Sequence, residues 1–365
     1  MKSPITVAAL ACIFLTLPVL GNAQTHETLL SSTENAYNPI ASPDGKYIAF
    51  VRTGRWSGGS GGFGRSNLRS EVAFMDANGN VLTGDSPARC FLQEWIPDSD
   101  DVVCYRGTRY YLVSPPGTIA RQGETTFPPV IPAKMVQGER VAYLSKRDEF
   151  VWLHRISGVE SELYTPQGPL EGSYVGLSLG DILVASHDER YIAACNDWAG
   201  LKVYDTVTKR WTDFGKIIVH PDRDWSWMQP GWNPWFTRKP DDDRLAFIQD
   251  GKLIVASADG KKKVVVLNNL KNAGLAVPSP DGTQVAFATF DPTPMKLRPD
   301  LQFYGGTTLW VTSISPNSTA KPVTQKSPET TFTLRWLGNA KLLFDRATDD
   351  IAFNASHRLW TADVP

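Results

Sequence analysis

The side chains best equipped for bond chemistry are dispersed along this chain. Its five histidines, His26, His154, His187, His220 and His357, stand singly, outside any His-Glu-x-x-His pair or cysteine cluster of the kind that holds zinc. No Gly-x-Ser-x-Gly segment supplies an exposed nucleophile. The run Asp76-Ala77-Asn78-Gly79-Asn80 opens like a calcium loop but lacks the distal glutamate. The acidic runs Asp241-Asp242-Asp243 and Asp349-Asp350 read as solvated turns. Neither a cofactor nor a metal is expected.

Binding chemistry has a stronger signal. Trp225, Trp227, Trp232 and Trp235 fall within eleven residues of the crossing from His220 to Trp235, which also holds Pro and Asp. One sheet cannot bury alternate tryptophans of such a loop. Flat indole faces suit sugar rings, apolar peptide side chains or cations; the competing reading is a satellite core beneath a long connection. A second segment, Gly54 to Arg65, carries Arg55 and Trp56 among six glycines. It reads either as a mobile flap or as a linker-like loop, and with no helix after it the match to a phosphate-cradling loop is weak. A third runs as a loop from Asp291 to Gly306 with Lys296, Arg298, Asp300, Phe303 and Tyr304, and a short one carries Trp198. The candidate ligand-binding residues are therefore Arg55, Trp56, Trp198, Trp225, Trp227, Trp232, Arg298 and Tyr304.

The elements that must position these loops repeat. Ser42-Pro43-Asp44-Gly45 precedes the apolar stretch Tyr47 to Phe50, and Ser279-Pro280-Asp281-Gly282 precedes Val285 to Phe287. Pro presets φ, Asp bonds locally and Gly takes φ > 0, so each reads as a tight turn leading into a buried strand. Degenerate copies precede Val102, Val141, Tyr191, Leu245 and Leu342, making seven with a mean step of about 49 residues. Most copies are followed by a second strand, such as Glu71 to Asp76 or Lys252 to Ala256, and then by a third short one. No stretch of ten residues has helical periodicity. The expected fold is all-β: a seven-bladed β-propeller whose last blade borrows its outer strand from Glu27–Ser31, which removes an exposed edge. Six blades after an unordered start is the alternative. In either ring the Pro-Asp-Gly turns share one face and the aromatic loops the other.

The Ser-Pro-Asp-Gly-x-x-Ile-Ala-Phe and Val-Ala-Phe-Met-Asp-Ala-Asn-Gly pieces resemble the TolB-like, WD40-like propeller repeats of bacterial exported proteins, and more distantly those of prolyl oligopeptidase propellers. The motifs are turn and core residues. The resemblance therefore implies fold and carries no catalytic residue with it.

Composition agrees with a packed, exported domain. Hydrophobic residues make up 42% of the 365, enough for a core, and the net charge of −1 lacks the basic excess that nucleic acid requires. Lys2, the apolar run Ile5–Leu20 and Gly21-Asn22-Ala23 form a secretory signal with cleavage expected before Gln24. Residues 24–365 then form a single domain, periplasmic or secreted, with no membrane span. In that oxidising setting Cys90 and Cys104 flank a turn and could bridge it, while Cys195 reads as a small buried hydrophobe. The functional expectation is a monomeric, non-catalytic scaffold that binds a protein or peptide partner through the aromatic loop face. The rivals are carbohydrate binding, and a lyase or hydrolase at the axial pocket drawing on His220, Asp224, Arg298, Arg346 and His357. Export is checked by mass spectrometry of the secreted chain, which should begin at Gln24.

Overall fold

The structure is a computed structural model that describes residues 26–30, 36–53, 70–82, 84, 91–95, 99–106, 109–124, 131–136, 140–147, 150–156, 160–164, 182–188, 190–196, 200–205, 207–208, 210–217, 235–294, 302–347 and 357–365. All regular structure in these residues is β. A short strand β1 (Glu27–Leu29) comes first. Sheet I contains β2 (Ala36–Ala41), β3 (Tyr47–Thr53), β4 (Ser70–Asp76) and β5 (Val81–Leu82). Sheet II contains β6 (Phe91–Trp95), β7 (Val102–Arg106), β8 (Arg109–Ser114) and β9 (Thr118–Glu124). Sheet III contains β10 (Ile131–Val136), β11 (Arg140–Arg147), β12 (Phe150–Ile156) and β13 (Glu160–Tyr164). Sheet IV contains β14 (Ile182–Ala185), β15 (Tyr191–Asn196), β16 (Gly200–Asp205) and β17 (Arg210–Gly215). Sheet V contains β18 (Trp235–Phe236), β19 (Arg244–Gln249), β20 (Lys252–Ser257) and β21 (Lys263–Leu267). Sheet VI contains β22 (Ala273–Pro278), β23 (Gln284–Pro294), β24 (Gln302–Ser313) and β25 (Lys321–Pro322). Sheet VII contains β26 (Thr330–Leu337), β27 (Lys341–Ala347) and β28 (Arg358–Asp363), with β1 as its fourth strand, Glu27 opposite Ala362 and Leu29 opposite Trp360.

Each turn-and-strand copy in the sequence leads into the second strand of one sheet, and its geometry shows why. Ser42 Oγ donates to Asp44 Oδ1 (2.7 Å) and accepts from the Tyr47 N–H (2.9 Å), while Asp44 Oδ1 also accepts from the Lys46 N–H (3.0 Å). Gly45 closes the turn at φ 72°, where a Cβ is disfavoured. The same bonds recur at Ser186, Asp188, Arg190 and Tyr191, and at Ser279, Asp281, Thr283 and Gln284. They recur a fourth time between β20 and β21, at Ser257, Asp259, Lys261 and Lys262. Desolvation pushes the Asp44 carboxyl up, yet the Lys46 ammonium and the Ser42 hydroxyl outweigh it and hold the pKa at about 2. A serine two residues before an aspartate therefore satisfies the backbone of a turn that would otherwise leave donors unpaired.

The sheets bury their faces against one another. Among the described residues, cores lie in the seams I/II, IV/V, V/VI, VI/VII and VII/I. The VII/I seam joins Ile48, Phe50 and Met75 to Leu337, Leu343 and Leu359, with Leu30 wedged beside them just after β1. First strands touch in sequence, β2 to β6, β6 to β10, β10 to β14, β14 to β18, β18 to β22 and β22 to β26, and β26 touches β2. Tryptophans reinforce two of these contacts. Trp95 Nε1 donates to Ile40 O (3.0 Å) and Trp336 Nε1 to Val277 O (2.9 Å), each reaching the preceding first strand. The turn ends of different sheets also meet. Arg244 Nη2 donates to Gly282 O (2.9 Å), the Asp281 N–H to Asn339 Oδ1 (3.1 Å) and Arg238 Nη1 to Ala41 O (3.4 Å).

Cys104 is fully buried and disulfide-bonded; Cys90 lies outside the described residues. Trp310 is half-buried, stacked on Phe287 at 6.5 Å, with Nε1 donating to Thr289 Oγ1. Replacing Ser279, 1% exposed, by Ala strips the Gln284 N–H of its acceptor, while the Thr283 N–H keeps Asp281 Oδ1, and should cost about 1–3 kcal/mol in urea denaturation.

Candidate functional site

Antiparallel order fixes which strand ends carry the long connections. In each sheet the connection from second to third strand leaves from the end opposite the turn between first and second strands. Thr53 and Ser70 flank residues 54–69, Asn196 and Gly200 flank 197–199, and Pro294 and Gln302 flank 295–301. The crossing between β17 and β18, 218–234, also joins ends of that kind. Arg55, Trp56, Trp198, Trp225, Trp227, Trp232 and Arg298 all lie in these segments, outside the described residues. Tyr304 is placed by its backbone, in β24 opposite Pro292.

That placement corrects one expectation. The Asp291–Gly306 segment is not a loop throughout, because β23 continues to Pro294 and β24 begins at Gln302, a ribbon in which Thr293 opposes Phe303. Two prolines do not break it. The Phe290 N–H turns toward β22, donating to Asn272 O, so alternation points the nitrogens of Pro292 and Pro294 to that side, beyond the start of β22, and leaves Asp291 and Thr293 to face β24.

First strands carry a second shared feature at the same end. The pairing of first and second strand slips between Tyr37 and Ile40, Leu92 and Glu94, Pro132 and Met135, Gly274 and Val277, and Thr331 and Leu334. Such bulges bend a strand and re-aim its side chains. In sheet VII the bulge is held by Asp345, which is 1% exposed. Its Oδ1 accepts from the Thr333 N–H (2.7 Å), Thr333 Oγ1 (2.8 Å) and the Phe332 N–H (3.3 Å). Its Oδ2 accepts from the Asn38 N–H of β2 (3.3 Å), so one carboxylate ties two bulges across the VII/I seam.

His357 completes this cluster. Its Nδ1 lies 3.5 Å from Asp345 Oδ2, an electrostatic contact too long for a good hydrogen bond. Its backbone carbonyl accepts from the Ala36 N–H (3.1 Å). The imidazole stands between Phe332 (centroids 5.1 Å) and Tyr37 (5.8 Å), both tilted to it, with its side chain 16% exposed. Burial raises the Asp345 carboxyl, but the facing His357 ring and the Thr333 donors outweigh it and hold the group below the ordinary carboxylate range. Burial alone pushes the Tyr37 phenol up. Chemically, the arrangement is a fixed carboxylate orienting an imidazole between two aromatic rings.

Arg346, grouped with His357 in the sequence reading, is not part of this cluster. It follows Asp345 directly and so projects from the other face of the sheet, into the VI/VII seam. His220, Asp224 and Arg298 lie outside the described residues. Sequence reasoning missed Asp345, Tyr37 and Phe332; the only local cue was the polar Asp-Arg pair inside the apolar strand Leu342 to Ala347.

No family model matches this chain, and no curated protein does. Among solved structures it is similar to the β-propeller domain of Cps50 (Swd1) from Myceliophteria thermophila, with a TM-score of 0.55 and 13% identity, covering 93% of this chain and 100% of that one. The fold is a β-propeller. A tricorn protease is also similar, with a TM-score of 0.48 and 10% identity over 84% of this chain; the chain covers 32% of that protease's length. In a propeller the sheets are arranged around a central channel. The bulges of β2 and β26 then belong to the strands nearest that channel, and Tyr37, Phe332 and His357 to its rim.

Asp345→Asn removes a buried anion on which four donors converge and should destabilise the propeller by about 2–4 kcal/mol. A carboxylate with a lowered folded pKa stabilises above its unfolded value, about 4, and that contribution is lost as pH falls through the folded one. Acid titration of thermal stability should therefore show a shallower loss below pH ~4 in Asp345→Asn than in the parent.

Proposed function

We propose that the chain is an exported, seven-bladed propeller with TolB-like repeats, closed through β1, and that it binds a protein or peptide partner at the end bearing the aromatic loops. The observation that carries this reading is the Tyr37–His357–Phe332 rim anchored by Asp345. Its half-buried rings and polar tip lie at the same end of the sheets as the connections that hold Arg55, Trp56, Trp198, Trp225, Trp227, Trp232 and Arg298, and as Tyr304 near the start of β24. A rigid ring with grafted loops offers aromatic contact area at low entropic cost, which suits recognition. Seven four-stranded sheets, first strands touching in cyclic order and β1 completing sheet VII support the blade count and the closure.

Two further facts bear on the partner class. No group of three or more His, Cys, Asp or Glu among the described residues could hold a metal ion. No helix of the described residues is long and apolar enough to cross a membrane. Carbohydrate remains the rival ligand for the indole faces. A hydrolytic or lyase reading has one observation of its own, the carboxylate–imidazole pair of Asp345 and His357.

The test is capture by the tagged, secreted full-length chain from the exporting cell, run beside a glycan array. Trp225→Ala combined with Trp227→Ala should keep the parent melting temperature and reduce capture about tenfold or more. Loss of folding in that variant assigns the rings to the core and ends the reading. Glycan signal in place of a captured protein transfers the site to carbohydrate.

A further inference from the structure

The end of the VI/VII seam contains donors without acceptors. Arg346 is 3% exposed, and its Nη1 donates to Glu27 Oε2 of β1 (2.5 Å). Glu27 Oε1 is taken by the Gln325 N–H (3.2 Å). The guanidinium carbon lies 4.7 Å from the Phe344 ring centroid and 5.7 Å from that of Trp360, so the group is stacked along the sheet face. Its remaining buried edge, Nε and Nη2, has no hydrogen-bond partner. Neither have the Trp360 Nε1 and the Thr331 hydroxyl, which are likewise buried. Register places these groups together on one face. Thr331 is directly opposite Arg346 on one side and Arg358 is opposite it on the other, with Trp360 two residues along from Arg358. The Thr331 N–H is satisfied by Thr307 Oγ1 (3.0 Å), so it is the hydroxyl of this residue that is unpaired.

A buried donor left unpaired is costly, more so when charged, and native interiors contain few. Nε and Nη2 form the side-on fork of a guanidinium, the pair of parallel N–H groups whose spacing matches two oxygens of one planar anion. We propose that this seam binds a small carboxylate, of formate or acetate size. Its two oxygens accept from the Arg346 fork, and the Trp360 N–H and Thr331 hydroxyl supply the flanking donors. Charge agrees: Arg346 and Arg358 stand side by side, and Glu27 offsets only one of them. The site is independent of the partner-binding rim, which faces sheet I.

The experiment uses the full-length chain, with 13C-formate followed by NMR line broadening and thermal unfolding followed across formate, acetate and chloride series at constant ionic strength. Formate and acetate should broaden and stabilise saturably, and chloride should not. Arg346→Lys keeps a charge but removes the fork, and should abolish both responses. Where that variant fails to fold, Trp360→Phe and Thr331→Val each delete one donor and should weaken formate binding about tenfold. No response to either carboxylate, or an equal response in the variants, overturns the proposal and assigns these donors to water.

Discussion

Four residues near the N-terminus hold sheet VII to its surroundings. Glu27, Thr28 and Leu29 complete sheet VII, and Leu30 follows into the seam with sheet I. Glu27 reaches the opposite seam, where it meets Arg346 and the Gln325 N–H. The N-terminal strand thus pins sheet VII to both of its neighbours. Without it, β28 would present an unpaired edge, and the buried Arg346 would lose its counter-charge. Removing one partner of such a buried pair is far more damaging than never having built it.

Sheet VII shows how adjacent residues serve different seams. Asp345 and Arg346 are consecutive, so strand alternation sends one toward sheet I and the other toward sheet VI. Both are buried charges, but they are satisfied differently. Asp345 takes backbone donors from two bulged strands and faces an imidazole, which fixes the rim of the channel. Arg346 has one carboxylate and two aromatic faces. The bulge in β26 is what allows the first arrangement, since it turns the Phe332 and Thr333 amides away from the ladder and toward a side chain.

The fold was largely legible because its signals are short-range. The Ser-x-Asp turns close within five residues, at Ser42 as at Ser279, and the apolar strand after each is set by burial between sheets. Seven of the eight nominated binding residues were drawn from connections that the described strands bracket without containing. Tyr304 was placed in a loop, whereas the strands run on through Pro292 and Pro294, whose nitrogens alternation turns to an unpaired side.

Sequence alone determined the all-β class, the repeating turn chemistry and the second strand of every sheet. All of these depend on residues a few positions apart or on the simple count of strands. Only the tertiary structure decided that Asp345 would meet Asn38, some 307 positions away, or that Arg346 would meet Glu27 across 319. Such pairs exist because the ends of the chain come together, and the residues between them leave no local trace of which buried charge will find which partner.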